Sequence, residues 1–340
     1  MPSTGCGRAP RSGIYATTPC IASTPHGSHA KDCLRGVSVV VDKRTLGWGV
    51  CLAVILPMMV GCREASDETC LQSALRQPEL AGGRVVLGER SGRRLFVDLR
   101  DGSIARSPRP LRMASLTKPM VAGEIRRRVD TGALSLDAPL SDFLPEHAFA
   151  APTGAVTLRQ LLQHQGGFDR SHLDPVLIDR RKACLAGVEY VAERPPEQHP
   201  GRSILYSNVG YCLLGEILLR DPRGLPGSLQ QALQNPLGGA GGWRASLGES
   251  YDALRRTLPV QDLPSRITLP DGSYYGYGWR HWPAKSEVPA WTHFGRLPGM
   301  VSIAATDGHD RLLVAHFSGD PADPERASQQ AVRQLWRCVE

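Results

Sequence analysis

Residues 291–317 read WTHFGRLPGMVSIAATDGHDRLLVAHF. Strand-forming runs Trp291–Gly295, Val301–Ala305 and Arg311–Phe317 are separated by Leu297-Pro298-Gly299 and by a turn containing Asp307-Gly308. Short apolar runs bounded by turn residues in this way predict strands. Tyr274–Trp282 predicts another just before them. At the other end of the chain, Arg84–Gly88 and Arg94–Leu99 form a hairpin pattern around a glycine-containing turn. Strands thus lie at both ends, with a helical, loop-rich middle. That order predicts an α+β fold, an antiparallel sheet flanked by helices and assembled from the two termini around an inserted helical subdomain at about 120–265. It argues against a βαβ series. There is no internal repeat.

The helices have legible ends. Met120, Val121, Ile125 and Val129 keep a helical period after Ser115. Thr157-x-x-Gln160 is a capping box that opens Leu158–His164, with Gly166-Gly167 as the stop. Asn208 to Arg220 is an apolar helix, and Glu64 to Arg76 a short one. Asp323-Pro324 starts a final helix with Ala327, Ala331, Leu335 and Cys338 on one face.

Composition narrows the function classes. The chain has 340 residues, 41% hydrophobic and 21% charged, enough for a sizeable core in one large domain or two. Its net charge is +7, but residues 1–62 hold six Lys/Arg against Asp32 and Asp42, leaving +3 for the remainder. Arg126-Arg127-Arg128 lies inside a helical pattern, and no concentrated basic face exists for nucleic acid.

Residues 1–40 are rich in Ser, Gly, Pro and Thr without apolar period, and read as a disordered or untranslated extension. Residues 41–62 follow with Lys43-Arg44, the apolar run Leu46 to Val60, and Gly61-Cys62, the layout of a secretory signal. Met59-Val60-Gly61-Cys62 is similar to a bacterial lipobox. The expectation is a start near Val41, lipidation at Cys62 as the first mature residue, and a domain 63–340 anchored through it in the cell envelope on the periplasmic side. Four cysteines then remain in an oxidising compartment, Cys70, Cys184, Cys212 and Cys338, with three possible pairings or buried free thiols as the alternatives.

Common catalytic motifs are absent: no G-x-S-x-G, H-E-x-x-H, Walker lysine or C-x-x-C, so neither metal nor cofactor is expected. Ser115-Leu116-Thr117-Lys118 stands out. Three residues of helix put both side chains on one face, and a desolvated lysine amine can take the proton of a serine hydroxyl. Ser28-His29-Ala30-Lys31 has the same spacing but precedes the signal. Tyr206-Ser207-Asn208 offers a phenol to carry a proton and an amide to orient an acyl group, in a chain whose only other Asn is Asn235. His293-Phe294-Gly295 lies on a predicted strand whose glycine lets a substrate approach the edge. His164-Gln165-Gly166 is a second H-x-G that reads as a helix cap without chemistry.

S-x-x-K, Y-x-N and H-x-G in that order resemble the class C β-lactamase-like serine hydrolases, which include serine DD-peptidases, β-lactamases and family VIII-type esterases. The segments VTLRQLLQHQGGF, YSNVGYCLLGEIL, YGYGW and HFGRLPG extend the likeness over roughly residues 80–320. The resemblance implies an α/β sandwich with a helical subdomain and a site between them. It implies Ser115 as nucleophile, Lys118 and Tyr206 sharing base and acid duty, and Asn208 positioning substrate. His293 then takes the third-motif position, as an imidazole that becomes a cation at mildly acidic pH. The backbone N–H groups of Ser115 and Arg296 would form the oxyanion hole, beside Gly295. The family's terminal helices share one sheet face, which favours Cys70 with Cys338 and leaves Cys184 for Cys212. His293 in place of Lys, and the bulky Arg296, depart from typical β-lactamases. The expected function is an exported acyl-serine hydrolase of small esters, amides or D-amino-acid peptides. The alternative is a silent penicillin-binding or sensor lipoprotein that keeps the pocket.

Overall fold

Nine strands organise the described residues: β1 (Ala81–Gly88), β2 (Arg94–Asp98), β3 (Leu111–Arg112), β4 (Arg244–Ala245), β5 (Tyr274–Tyr275), β6 (Arg280–His281), β7 (Trp291–Leu297), β8 (Met300–Thr306) and β9 (Leu312–Ser318). Seven form one sheet in the order β2-β1-β9-β8-β7-β6-β5, every neighbouring pair antiparallel. β3 and β4 form a separate two-stranded ribbon. The structure is a computed structural model that describes residues 67–89, 92, 94–99, 110–168 and 183–338. Cys62 and the segment expected to be a signal, like the Ser28–Lys31 pair, lie outside the described residues.

Alternation along the strands builds two cores. On β8, Val301, Ile303 and Ala305 point to one face, where Leu313, Ala315 and Phe317 of β9 join them. That face is covered by Leu71 and Leu75 from a helix at 67–74 and its end, and by Ala331, Val332, Leu335 and Trp336 of the helix Pro324–Arg337. Val332 and Leu335 are fully buried, worth about 3–6 kcal/mol together. Cys70 is bonded to Cys338, with Cα atoms 5.5 Å apart, so the two terminal helices are tied covalently on this face. The opposite face, through Val86, Ala304, Leu312 and Val314, packs on the helical middle of the chain.

That middle contains the helices Thr117–Asp130, Leu158–Leu162, Ala183–Ala192, Asn208–Arg220 and Leu247–Arg255. Met120, Val121 and Ile125 bury one face of the first, and Val129 packs at its end. The Thr157 capping box is present, and Asp323 caps the last helix by accepting from the Arg326 N–H at 3.0 Å. A second disulfide joins Cys184 to Cys212, Cα atoms 5.2 Å apart, and so links Ala183–Ala192 to Asn208–Arg220.

β1 starts earlier, at Ala81, and β7 runs on to Leu297; three other boundaries differ from expectation. Tyr274–Trp282 is not one strand but a tight hairpin of β5 and β6. Gly278 turns it with φ +74°, and a Cβ there would stand 2.8 Å from both the Lys118 carbonyl oxygen and Pro119 Cα. The turn therefore rests on the first turn of the Thr117 helix, and only glycine permits both the angle and the approach. The helix opened by Thr157 ends at Leu162, because His164 adopts φ +55°. The first described helix ends at residue 74 rather than at Arg76, its expected start at Glu64 lying outside the described residues.

Candidate active site

Ser115 sits in a single 3-10 turn, Ala114–Leu116, immediately ahead of the Thr117–Asp130 helix. The turn is held from several sides. Ala114 is left-handed at φ +48°, a conformation costly for a residue with a Cβ. Thr117 Oγ1 donates to the Ala114 carbonyl at 2.7 Å and accepts from the Trp243 N–H at 3.1 Å. The Met113 N–H returns a bond to the Trp243 carbonyl, and Ser302 Oγ of β8 donates to the Met113 carbonyl at 2.8 Å. These contacts fix the serine against strand β7.

Lys118 follows one helical turn later and is completely buried. Its Nζ lies 3.1 Å from Ser115 Oγ, 2.7 Å from Asn208 Oδ1 and 2.7 Å from the Ala240 carbonyl. An uncharged amine has two N–H donors and one lone pair. As an ammonium Lys118 donates to all three oxygens; once deprotonated, donation to Asn208 and Ala240 leaves the lone pair for the Ser115 hydroxyl proton, so the geometry suits a base. Nζ also lies 5.0 Å from the centre of the Tyr206 ring and 5.6 Å from that of Tyr211. Burial first, then the neighbouring Tyr206 and Tyr275, push the Tyr211 phenol well above its ordinary range. Its hydroxyl donates to the Leu162 carbonyl at 3.1 Å.

Asn208 opens the helix Asn208–Arg220, capped by Ser207, whose Oγ accepts from the Gly210 N–H at 3.1 Å. Tyr206 precedes the cap, half-buried, with its Oη 3.4 Å from His293 Nε2. His293 is on β7 and 2% exposed. Its pKa is pushed down to about 3, chiefly by burial and next by the charge of Lys118, with Arg280 adding and the Gly278 backbone opposing. The expectation of a cation at mildly acidic pH is therefore corrected: dehydration and a neighbouring ammonium keep this imidazole neutral.

Gly295 has a further role that its sequence does not suggest. A Cβ at this position would collide with Ser302 Oγ and stand 2.7 Å from the Met113 carbonyl oxygen and 3.1 Å from the Ser115 nitrogen. The glycine admits the turn that carries Ser115 to the strand. β6 pairs with β7 only at Trp291 and Thr292, so beyond them β7 borders the cleft. This cleft is about 330 Å³ and is lined by Ser115, Tyr206, Asn208, Tyr275, His293 and Arg296, among others. The structure thus gathers Ser115, Tyr206, Asn208, His293, Gly295 and Arg296 at one cleft, with Lys118 behind the serine.

Charge around the cleft is nearly balanced. Arg280 donates to Asp271 and Glu325, at 2.6 Å each, and lies 4.0 Å above the Trp282 ring. Arg296 is exposed, and Asp323 and Glu325 also line the cleft. Among the described residues no cluster of His, Cys, Asp or Glu is arranged to hold a metal ion.

Three participants escaped the sequence reading. The Ala240 carbonyl comes from a Gly-rich turn, Gly238–Gly241, with no side-chain signal. Tyr275 lies in the glycine-rich hairpin read as plain strand. His164, read as a cap, is instead buried against Tyr206 with ring centroids 4.3 Å apart.

Comparison with known proteins bears on the family and the fold. The model of the Beta-lactamase family matches residues 81–257, just over half of the chain. The chain is 35% identical over 228 residues to the esterase EstB of Burkholderia gladioli, covering 60% of this chain and 57% of the esterase. It is 33% identical over 107 residues to a probable fimbrial assembly protein FimD of Dichelobacter nodosus, covering 31% and 27%. It therefore spans between about a quarter and just over half the length of these curated relatives. Among solved structures, the D-amino acid amidase of Ochrobactrum anthropi complexed with D-phenylalanine has a TM-score of 0.64 at 15% identity, over 82% of this chain and 98% of that one. A penicillin binding protein from Bacillus halodurans has 0.57 at 18%, over 81% and 100%. These structures share the antiparallel sheet flanked by helices.

Proposed function

Because this chain belongs to the beta-lactamase family of serine hydrolases, we propose that it cleaves small, uncharged esters through an acyl-serine intermediate on Ser115. The observation that carries this reading is the placement of Lys118 Nζ, 3.1 Å from Ser115 Oγ with two neutral oxygens for its N–H groups. In the proposed cycle Ser115 Oγ attacks the ester carbonyl as its proton passes to the Lys118–Tyr206 pair. The Ser115 N–H and the β7 backbone at Arg296 steady the oxyanion. The same pair returns the proton to the leaving alcohol, and water then attacks the acyl group with the roles reversed.

The cleft's electrostatics support a neutral substrate. His293 stays uncharged, Arg280 is already held by two carboxylates, and Arg296 is in contact with solvent, where its attraction is screened. A volume near 330 Å³ suits a short acyl group. The likeness to an esterase agrees. Short-chain p-nitrophenyl esters should turn over with a higher kcat/KM than analogues carrying a carboxylate, and Ser115→Ala should abolish both. Single labelling without turnover would instead mark a silent binder, and preference for the carboxylate would move the substrate class to peptides.

An envelope location belongs to the same proposal. Two disulfides in the fold suit an oxidising compartment, and the Cys62 motif supplies the anchor. Palmitate incorporation lost in Cys62→Ser is the expected result, and equal incorporation in both would reject the anchor.

A further inference from the structure

His164 holds the chain on both sides of Tyr206. Its carbonyl accepts the N–H of Leu205 at 2.8 Å. Its Nδ1 accepts the N–H of Ser207 at 3.0 Å. Its ring lies against the Tyr206 ring at 4.3 Å and 29°, close to parallel. Three consecutive residues, 205 to 207, are thus each met by one residue some forty positions earlier. The imidazole is 1% exposed and also meets the Tyr275 ring edge-on at 4.7 Å.

The backbone of His164 is shaped for this. At φ +55° it departs from the helix that ends at Leu162. Left-handed geometry is uncommon outside glycine, with Asn, Asp and His the usual exceptions. The turn presents the carbonyl and the ring to the same neighbouring segment. A Ser207 N–H buried without an acceptor would be costly, because Ser207 is 4% exposed, so the ring nitrogen is part of what fixes this segment. An accepting Nδ1 also requires the neutral imidazole with its proton on Nε2.

We infer that His164 is a positioning residue that sets the location of the Tyr206 hydroxyl for proton transfer, an inference that rests on the acyl-serine reading above. Rate should depend on it in a way that binding does not, and the dependence should pass through Tyr206. Two substitutions separate its contacts. His164→Phe keeps a ring but removes the acceptor. His164→Asn keeps an acceptor near Nδ1 and tolerates the positive φ, but removes the ring.

The test is a double-mutant cycle on short-chain ester turnover and on the rate of fluorophosphonate labelling, with thermal melts on every variant. His164→Phe should lower kcat at least ten-fold with KM within two-fold, and His164→Asn should recover part of the loss. In a Tyr206→Phe background, either His164 change should cost less than two-fold. If the Phe variant does not fold, the cycle built with His164→Asn carries the same test. Losses that add to that of Tyr206→Phe, or that fall on KM, overturn the inference while leaving the acyl-serine reading intact. A Tyr206→Phe enzyme of full activity removes the role of Tyr206 and the inference with it. Loss of labelling at Ser115 alone marks failure of the wider reading.

Discussion

Gly295→Ala is the most informative small change in this molecule. The added methyl would collide with Ser302 Oγ and lie 2.7 Å from the Met113 carbonyl oxygen, about 0.7 Å inside ordinary contact. Strand β7 cannot retreat freely, because it pairs with β8 along its length from Trp291 to Leu297. The 3-10 turn that carries Ser115 is therefore the part that moves. Rotating Ser302 away breaks its bond to Met113, worth about 1 kcal/mol, and overpacking adds about 1–3 kcal/mol. At about 2–4 °C per kcal/mol for a domain near this size, Tm should fall by roughly 5–15 °C. Rate should suffer more than stability, because misplacing a reacting group by about 1 Å can cost ~10²-fold. Ser302→Ala in the same chain removes one of the two collisions, so it should restore part of the Tm and little of the rate. Differential scanning fluorimetry with ester kinetics reads both. Unchanged Tm and kcat in Gly295→Ala would refute the claim that glycine is there to admit the nucleophile turn.

Two further outcomes follow from burial and cross-linking. His293 has its folded-state pKa lowered from 6.5 to about 3, so the unfolded chain binds more protons between those values and stability rises with pH there. That contribution is fully present above pH 6.5 and is lost as pH falls, by roughly 3 kcal/mol at pH 4.5. Urea titrations at pH 7 and 4.5 should show a smaller acid loss in His293→Gln than in the parent, and equal losses would contradict the buried neutral imidazole. The Cys184–Cys212 bridge closes a separation of 28 residues, for which chain entropy gives about 3.6 kcal/mol. Cys184→Ala with Cys212→Ala should lower the urea midpoint accordingly, and an unchanged midpoint would remove the bridge from the account.

Much of the fold is legible because its signals are local. Turn residues separate β7, β8 and β9, the Thr157 capping box starts its helix, and an apolar run marks the helix Asn208–Arg220. The hairpin at 274–281 is not legible because strand propensity in Tyr274-Tyr275 and Trp279–Trp282 hides a turn set by Gly278 at positive φ. Ser115, Lys118, Tyr206 and Asn208 could be picked out because their side chains have distinctive chemistry at short spacing. His164 could not, since its chemistry depends on a left-handed backbone and on partners near Leu205 and Ser207. Ala240 contributes only a carbonyl, which every residue has. The neutral state of His293 likewise depends on burial and on Lys118, which spacing does not reveal.

The central claim concerns one oxygen atom. Intact and peptide mass spectrometry of the protein treated with a fluorophosphonate probe reads it directly. The account predicts a single adduct on Ser115, absent in Ser115→Ala, with labelling slowed at least ~10²-fold in Lys118→Met. An adduct on another serine, or full ester turnover by Ser115→Ala, would contradict it.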